Sequence, residues 1–387
     1  MRDKLLVVGA AAALAATIAG CTAAGTATTT VTTGTLTIYA SAPATSATPE
    51  SQDVLDAERL ALQEQGGQVG KLKIKLVTLT GKISDNARTA IEDPSTIAYL
   101  GEIAPGASEG SAGITNAQDV LQVSPTDTAL ELTQPTAAVP GAPNRYYESL
   151  KAYGKTFARV VPSTAQEAKA QVQEMQSFGV KTLYVTADGS QYGATIALAV
   201  KRDAAAAGIS VAPRGQEGAL FFGGSSDTSA LHAFKGAVAT SPTVKLFAPS
   251  ALDDAALAAG LPGPAAGNLY VSAPGFLPNL PNLPKDLPPK GQKFVTDFSA
   301  AYHHPPSLQA IFGYEAMAAV LGVLGSAGSS AGDRTKVVHD FFAIRNRASV
   351  LGTYSINSAG DTSIAPFVFS HVQSGKLVPF RFLQVQG

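Results

Sequence analysis

Side chains suited to catalysis are few in this chain of 387 residues, and their spacing matches no common catalytic motif. The sequence contains no Gly-x-Ser-x-Gly elbow, no His-Glu-x-x-His pair, no phosphate-binding loop and no dinucleotide fingerprint. His303 and His304 have side chains able to bind a metal, but an exposed pair in a loop is the simpler interpretation. The histidines are otherwise scattered, at His232, His339 and His371. We therefore predict a protein that is not an enzyme and has no cofactor or metal site.

The only cysteine, Cys21, follows an apolar N-terminal segment. After a short basic start, Leu5 to Ile18 carries no charge and is too short for a comfortable permanent membrane span, which favours an export signal. The sequence Ile18-Ala19-Gly20-Cys21 resembles the lipobox of bacterial lipoproteins, in which the cysteine is acylated after cleavage. An ordinary signal peptide with a chance cysteine is the alternative. The resemblance implies a signal peptide over residues 1–20 and a lipid anchor at Cys21, outside the cytoplasmic membrane.

Charge and composition exclude other classes of protein. The net charge is −1 and the basic residues are evenly scattered, so we expect no nucleic-acid partner. Without a second cysteine the chain forms no internal disulfide, and a domain of this length does not need one. Residues 22–33 are nearly all Thr, Ala and Gly, so we predict a flexible tether over residues 21–35.

From Leu36 onward, strand patterns alternate with helix patterns, which is typical of parallel α/β structure. Leu36 to Ala40 predicts a strand, Ser51 to Gln65 a helix, and Lys71 to Leu79 a second strand. Ser163 and Gln166 form the pattern of a capping box that begins another helix. These repeated βα units predict two open, mostly parallel sheets.

Ten stretches of the chain, in order, resemble the type I periplasmic binding proteins. In particular, they resemble the branched-chain amino acid (Leu/Ile/Val-type) substrate-binding proteins of ABC transporters. The stretches extend from about Leu60 to Thr362, nearly the whole domain. They read LALQEQGGQVGKLKIKLVTL, NARTAIEDPSTIAYLGE, PGAS, QVSPTDT, TFARVVP, ADGSQYG, FFGG, GQKFVTDFSAAY, IFGYEAM and VLGTYSINSAGDT.

This resemblance implies two Rossmann-like α/β lobes joined by three crossovers, which close on a small molecule in the cleft between them. Lobe one would comprise residues 36–161 and 274–351, and lobe two residues 162–273 and 352–387. Strand ends and helix N-termini at such a cleft suit a carboxylate. The implied function is binding and delivery of an amino acid, or a related carboxylate or amide, to ABC transporter membrane subunits, by a monomer.

The resemblance also implies which residues contact the ligand. Ala107 and Ser108 belong to the turn after the third strand, where we predict Ser108 to be a helix N-cap. Thr126, through its backbone, and Thr128, through its hydroxyl, belong to the turn after the fourth strand. Tyr192 matches an aromatic side chain that contacts the ligand from lobe two. The alternative is that these residues only form turns and caps, which their types favour anyway.

Three further positions of the implied site depart from the family pattern. Pro105 stands where a serine is common, and proline also lacks a backbone N–H. Ser225 stands where amino acid binders have an aromatic residue. Ser250 stands where an acidic residue pairs with the ammonium group of the ligand.

An ammonium group buried without a carboxylate costs several kcal/mol. Either Asp253, Asp254 or Asp127 takes over the role missing at Ser250, or the ligand is not an α-amino acid. The combined departures favour the second interpretation. A lipid-anchored sensor, or a divergent binding protein with no transport role, is the alternative function.

Lobe two departs from the family in its topology as well. Only residues 213–219 separate two strand patterns that a helix normally connects, whereas a parallel crossover needs about a dozen residues or more. We therefore predict that one crossover helix is missing. Either the two strands then pair as a hairpin, or one of them is lost. The missing helix is expected to weaken lobe two and its closure.

Overall fold

The computed structural model describes residues 30–32, 34–43, 48–276 and 287–385. Its strands are β1 (Thr35–Ser41), β2 (Gln68–Val69), β3 (Leu72–Leu79), β4 (Thr96–Leu100), β5 (Leu121–Ser124), β6 (Phe157–Arg159), β7 (Thr182–Ala187), β8 (Ser210–Val211), β9 (Ala219–Gly223), β10 (Lys245–Ala248), β11 (Leu269–Pro274), β12 (Arg347–Ser349), β13 (Gly352–Tyr354), β14 (Pro366–Gln373) and β15 (Lys376–Gln384). Its α-helices are α1 (Pro49–Glu64), α2 (Ile83–Glu92), α3 (Ala112–Asn116), α4 (Leu150–Tyr153), α5 (Thr164–Ser177), α6 (Gln191–Ala206), α7 (Asp227–Thr240), α8 (Ala255–Gly260), α9 (Gly263–Ala266), α10 (Pro289–Tyr302), α11 (Ala310–Ala327) and α12 (Arg334–Phe342).

Lobe one is built on a sheet of strand order β2-β3-β1-β4-β5-β6, parallel except for β2. Leu36 and Ile38 of β1 point into a core that α1 and α11 cover. These two helices pack closely because Gly313 has no side chain: a Cβ there would lie 2.3 Å from the carbonyl oxygen of Val54. By length and composition, α11 with its continuation to Ser330 is able to cross a membrane. However, 72% of its most apolar window is buried, as in a core helix.

Lobe two is built on a sheet of order β15-β14-β11-β10-β9-β7-β8. The strands from β7 to β11 are parallel, and β14 and β15 are antiparallel. Leu183 and Val185 of β7 pack toward α5 and α6, whereas Leu220 and Phe222 of β9 pack against Phe234 of α7. The α/β prediction, with two mostly parallel sheets, is therefore confirmed.

The predicted loss of a helix in lobe two is also confirmed, because residues 212–218 contain none. Both alternatives predicted for the two strands, a hairpin and the loss of one strand, are wrong. Strand β8 is present as a two-residue strand, parallel to the start of β7, with Val211 opposite Leu183. On the other edge of β7, β9 pairs in parallel, with Ala219 also opposite Leu183. Strand β8 ends, and β9 begins, level with Leu183 of β7. The chain therefore has only to cross β7 and does not run back along the sheet, so a short loop is long enough.

The missing helix leaves an open cavity of about 500 Å³ against the α7 side of the sheet. Its lining comes from β7, β9, α7 and the short loop, and comprises Tyr184, Thr186, Ala187, Asp188, Arg214, Leu220, Phe222, Thr228, Ser229, His232 and Ala233.

Two ends of predicted segments need correction. Val31 lies within the predicted tether, yet it is buried and its backbone N–H donates to the carbonyl of Gly332, because that part of the chain docks on lobe one. Tyr354, Ile356 and Ile364 pack in the core of lobe one, so the chain returns to lobe two next to Pro366, later than the predicted position near Gly352. Cys21 and the predicted signal peptide lie outside the described residues.

Candidate functional site

The interlobe cleft is a cavity of about 690 Å³ between loops at the ends of strands from both lobes. Lobe one contributes the start of α1, the loop after β4, the turn after β5 and the start of α11. Lobe two contributes the loop after β10 and the β14–β15 hairpin. The lining residues are Thr48, Glu50, Ser51, Ile103, Ala104, Pro105, Thr126, Ser250, Ala251, Asp253, Asp254, Ala255, Ser307, Leu308, Gln309, Ser370, Lys376, Leu377 and Pro379.

Three of the predicted site residues, Pro105, Thr126 and Ser250, line this cleft. Ala107 is half-buried beside it and is not among the lining residues. Ser225 is exposed after β9, where its backbone N–H donates to Oδ2 of Asp188 at 2.9 Å. The structure therefore does not bring Ser225 to the cleft.

The turn after β5 braces the loop after β4 through one carboxylate. Asp127 is fully buried and accepts backbone N–H groups from Gly106 (2.6 Å), Ser108 (2.8 Å) and Ala129 (3.0 Å). Burial raises the pKa of Asp127, whereas these N–H groups and Arg159 lower it. Since its oxygens are already used, Asp127 does not take over the role of the missing acidic partner.

Ser108 is not the helix N-cap that the sequence suggested. Gly106, with φ of +81°, holds the capping position of a short 3-10 turn, and Ser108 lies inside that turn. The Ser108 side chain is fully buried and its Oγ accepts the backbone N–H of Glu102 at 3.0 Å. Its role in the structure is to hold the loop together.

A buried polar cluster lies directly behind the cleft wall formed by Ser250. Glu167, in the first turn of α5, accepts the backbone N–H of Ser250 at 2.6 Å and the Ser272 hydroxyl at 2.7 Å. Burial raises the pKa of Glu167, and the hydrogen bonds from Ser272 and Ser250 offset this only in part. Glu167 was not predicted from the sequence. Its place after the Ser163–Gln166 capping box located it in the first turn but did not reveal that it is buried.

The hydroxyls of Tyr192 and Thr128 complete this cluster, close to each other and to the polar groups around Glu167. The Tyr192 hydroxyl lies near the Ser250 side chain and the Ala251 backbone, and the nearby Glu167 carboxylate adds to burial in raising its pKa. Thr128 lies close by on the lobe one side. Within the described residues, neither Tyr192 Oη nor Thr128 Oγ1 makes a hydrogen bond of normal geometry, although both side chains are buried.

Carboxylates dominate the charge along the cleft. Glu50, Asp253 and Asp254 line it, and Lys376 is the single basic side chain among its described lining residues. Asp254 Oδ1 accepts the backbone N–H of Leu257 at 2.9 Å and so caps α8. Burial raises the pKa of Asp253 to about 7, with further contributions from the surrounding carboxylates.

The lobes also touch each other beside the cleft. Gln191, at the start of α6, accepts a hydrogen bond from the Tyr146 hydroxyl at 3.2 Å and donates to Glu109 at 3.3 Å. Tyr146 and Glu109 belong to segments of lobe one, so Gln191 links the two lobes directly.

A larger groove of about 830 Å³ lies where the chain crosses between the lobes. It is lined by the sides of α5 and α6 and by residues 355–363, with Lys169, Arg202 and Arg345 as its basic side chains. Strand ends do not form its walls. Because ligands of open α/β sheets bind outside the carboxyl ends of the strands, the interlobe cleft is the candidate site.

The described residues contain no group of three or more His, Cys, Asp and Glu side chains placed to hold a metal. His303 ends α10 in a left-handed conformation, with φ of 64°. His304 is exposed beside it, and its Nδ1 lies 3.0 Å from the carbonyl oxygen of Pro305.

Comparison with known proteins identifies the fold. No family model matches the sequence, and no curated protein matches it significantly. The leucine-binding protein LivK of Thermotoga maritima superposes with a TM-score of 0.71 at 20% identity, over 90% of this chain and 98% of that protein. An ABC transporter substrate-binding protein from Desulfitobacterium hafniense, in complex with Leu, gives 0.70 at 18% identity, over 89% and 100% of the two chains.

A solute-binding protein of an ABC transporter from R. palustris, in complex with benzoate, gives a TM-score of 0.65 at 18% identity. That similarity covers 91% of this chain and 97% of the neighbour. The neighbours thus share both lobes and nearly the full length. The chain therefore has the two-lobed type I periplasmic binding protein fold.

Proposed function

We propose that this protein is the extracytoplasmic solute-binding component of an ABC importer and binds a small carboxylate or amino-acid-like ligand between its lobes. The observation that carries the proposal is the polar interlobe cleft at the carboxyl ends of β4, β5 and β10, where this fold class binds ligands. The neighbours named with leucine or benzoate support a ligand of this size. Binding, closure and delivery require no catalytic group.

The proposal includes a lipid anchor at Cys21, which holds the protein on the outer side of the cytoplasmic membrane as a monomer. The lipobox sequence supports the anchor, and the neighbours' description as ABC transporter components supports membrane subunits as partners. The alternative is a lipid-anchored sensor or a divergent binding protein without a transport role. The altered residues at Pro105 and Ser250 and the shortened lobe two favour that alternative.

A thermal-shift screen of the full-length protein tests the proposal. The ligands are amino acids, aliphatic and aromatic carboxylates, amides and ureas. A ligand that binds only the folded state raises the melting temperature. At a concentration of 100 times its Kd, it adds about 2.7 kcal/mol to the free energy of unfolding. We expect at least one compound to raise it, and no response across the whole panel would contradict the proposal.

Variants locate the binding and distinguish import from sensing. Ala255→Trp places an indole at the edge of the cleft and is expected to abolish the shift. Ala239→Trp, on the exposed side of α7, is the matched control and is expected to preserve it. Uptake of the radiolabelled ligand by cells with and without the gene then decides between importer and sensor, because only an importer component changes the rate of uptake.

A further inference from the structure

The cavity left by the missing helix is separate from the interlobe cleft, and the two share no lining residue among those described. Its volume of about 500 Å³ lies within the range of roughly 300–1,000 Å³ that is typical of small-molecule sites. The cavity is therefore large enough for a small ligand of its own.

The floor of this cavity is the face of the sheet that the missing helix leaves open. Helix α7 covers β9, where Leu220 and Phe222 are buried. On the neighbouring strand β7, Tyr184 and Thr186 line the same cavity and are only half-buried, because residues 212–218 form a loop and no helix over them. Parallel sheets are normally covered on both faces. The apolar part of a ligand is able to take the place of the missing cover.

The short loop supplies a cation at the rim of the cavity. Within the described residues, the guanidinium of Arg214 forms no hydrogen bond and no ion pair. It lies against α7 at Gly236, where a Cβ would be 2.6 Å from a terminal nitrogen of the guanidinium. Glycine is unfavourable inside a helix, and here it leaves the room that the guanidinium occupies. An unpaired guanidinium beside an apolar floor favours an anionic partner, since its planar donors match a carboxylate.

The other charged and aromatic groups at the rim are compatible with an anion. His232 of α7 is exposed and lines the same cavity as Arg214, and its ring offers an N–H donor. Asp188 is the single acid among the described lining residues. Its oxygens accept hydrogen bonds from backbone N–H and hydroxyl groups of Ser190, Ser225 and Ser226. Asp188 is thus already engaged, and Arg214 is left for a ligand.

We propose that this cavity is a second ligand site, in lobe two alone, which binds a small carboxylate with an apolar body. The guanidinium of Arg214 binds the carboxylate, with His232 beside it. The apolar body lies over β7, next to the ring of Tyr184. The inference goes beyond the proposed function, because it does not depend on what the interlobe cleft binds.

The experiment compares three probes that share a skeleton but differ in charge: 4-fluorobenzoate, 4-fluorobenzamide and 4-fluorobenzylamine. Each is titrated into the full-length Ala255→Trp variant, whose interlobe cleft is blocked, and binding is measured by fluorine NMR of the probe. We expect the benzoate to bind, and to bind more tightly than the amide and the amine. No binding of the benzoate, or equal binding of the amide or the amine, would overturn the inference. Either result leaves the proposed function intact, since a ligand that binds the parent chain but not Ala255→Trp binds in the cleft.

Substitutions in the same Ala255→Trp chain locate the site. Arg214→Gln is expected to weaken benzoate binding by about 5- to 10-fold, the range for a charge-assisted contact at a partly exposed rim. Gly236→Ala displaces the guanidinium and should also weaken binding, while the melting temperature stays equal or rises because alanine favours the helix. Arg88→Gln, an exposed arginine on α2, is the matched control and should leave binding unchanged. Unchanged benzoate affinity in Arg214→Gln would overturn the assignment.

Discussion

Ser250 donates two hydrogen bonds to the Glu167 carboxylate, one from its backbone N–H at 2.6 Å and one from its hydroxyl at 3.1 Å. Ser250 lines the interlobe cleft, whereas Glu167 is completely buried behind it. The acid that the family resemblance predicts at position 250 thus has a counterpart one layer deeper, in the first turn of α5. There it fixes the loop after β10 and is not exposed to a ligand.

This relationship predicts different effects for two substitutions of Glu167. Glu167→Ala removes the acceptor of a buried N–H and leaves a cavity, so we expect the free energy of unfolding to fall by about 2–4 kcal/mol. Glu167→Gln keeps one oxygen for the N–H of Ser250, and its amide is able to donate to the hydroxyl, so we expect a loss of about 1 kcal/mol or less. Urea unfolding at pH 7 measures both. Equal losses for the two variants would contradict the role of Glu167 as an acceptor.

Buried carboxyl groups predict that the protein is more stable in mild acid than in mild base. Burial raises the pKa of Glu58 from 4.5 to about 8, and Arg59 offsets this only in part. Burial likewise raises the pKa of Glu102 and Glu131 to about 7. The folded state binds these protons more tightly than the unfolded state does, so protonation stabilises the fold. This stabilisation is complete below pH 4.5 and is lost as the pH rises toward 8. We expect the melting temperature to fall between pH 5.5 and pH 8.5.

Glu58→Gln tests the main contributor to that pH dependence. Its amide resembles the protonated acid, so at pH 8 the variant should be more stable than the parent chain by roughly 2–4 kcal/mol, and at pH 5 nearly equal to it. The control is Glu92→Gln, an exposed position on α2, which should leave the pH profile unchanged. If the stability of Glu58→Gln falls with pH as steeply as that of the parent chain, Glu58 is not the source of the pH dependence.

Contact between the lobes at Gln191 predicts an effect on closure. Gln191→Ala removes its hydrogen bonds with Tyr146 and Glu109, which are partly exposed and therefore weak. We expect a shift toward open forms, seen as a larger radius of gyration in small-angle X-ray scattering, with the melting temperature nearly unchanged. Gln176→Ala, on α5 within lobe two, removes an exposed hydrogen bond that does not cross the cleft and is the control. A radius of gyration identical to the parent's would rule out a part for Gln191 in closure.

Local signals predicted much of the fold. The Ser163–Gln166 pattern predicted the start of α5, and the capping box is present. The short link before Ala219 predicted the missing helix. Helix α7 was not predicted, because its many small residues give it no clear apolar face.

The site was harder to predict, because its key contacts join distant parts of the chain. Asp127 binds the backbone of Ser108, 19 residues earlier, and Glu167 binds Ser250, 83 residues later. Sequence patterns identify an acidic residue and a turn. They do not show that the carboxylate of that residue accepts hydrogen bonds from the backbone N–H groups of that turn. For the same reason Asp127 seemed available to a ligand in the sequence and is fully occupied in the structure.

The predicted lipid anchor is Cys21, which lies outside the described part of the chain. If Cys21 is acylated, cells that express the protein should incorporate labelled palmitate into it and retain it in the membrane fraction. Cys21→Ala removes the acyl acceptor, so we expect loss of label and release of folded protein into the soluble extracytoplasmic fraction. Thr22→Ala, next to the cleavage site, is the control and should remain labelled. If the protein with Cys21 intact is unlabelled and soluble, the segment is an ordinary signal peptide and the anchor is wrong.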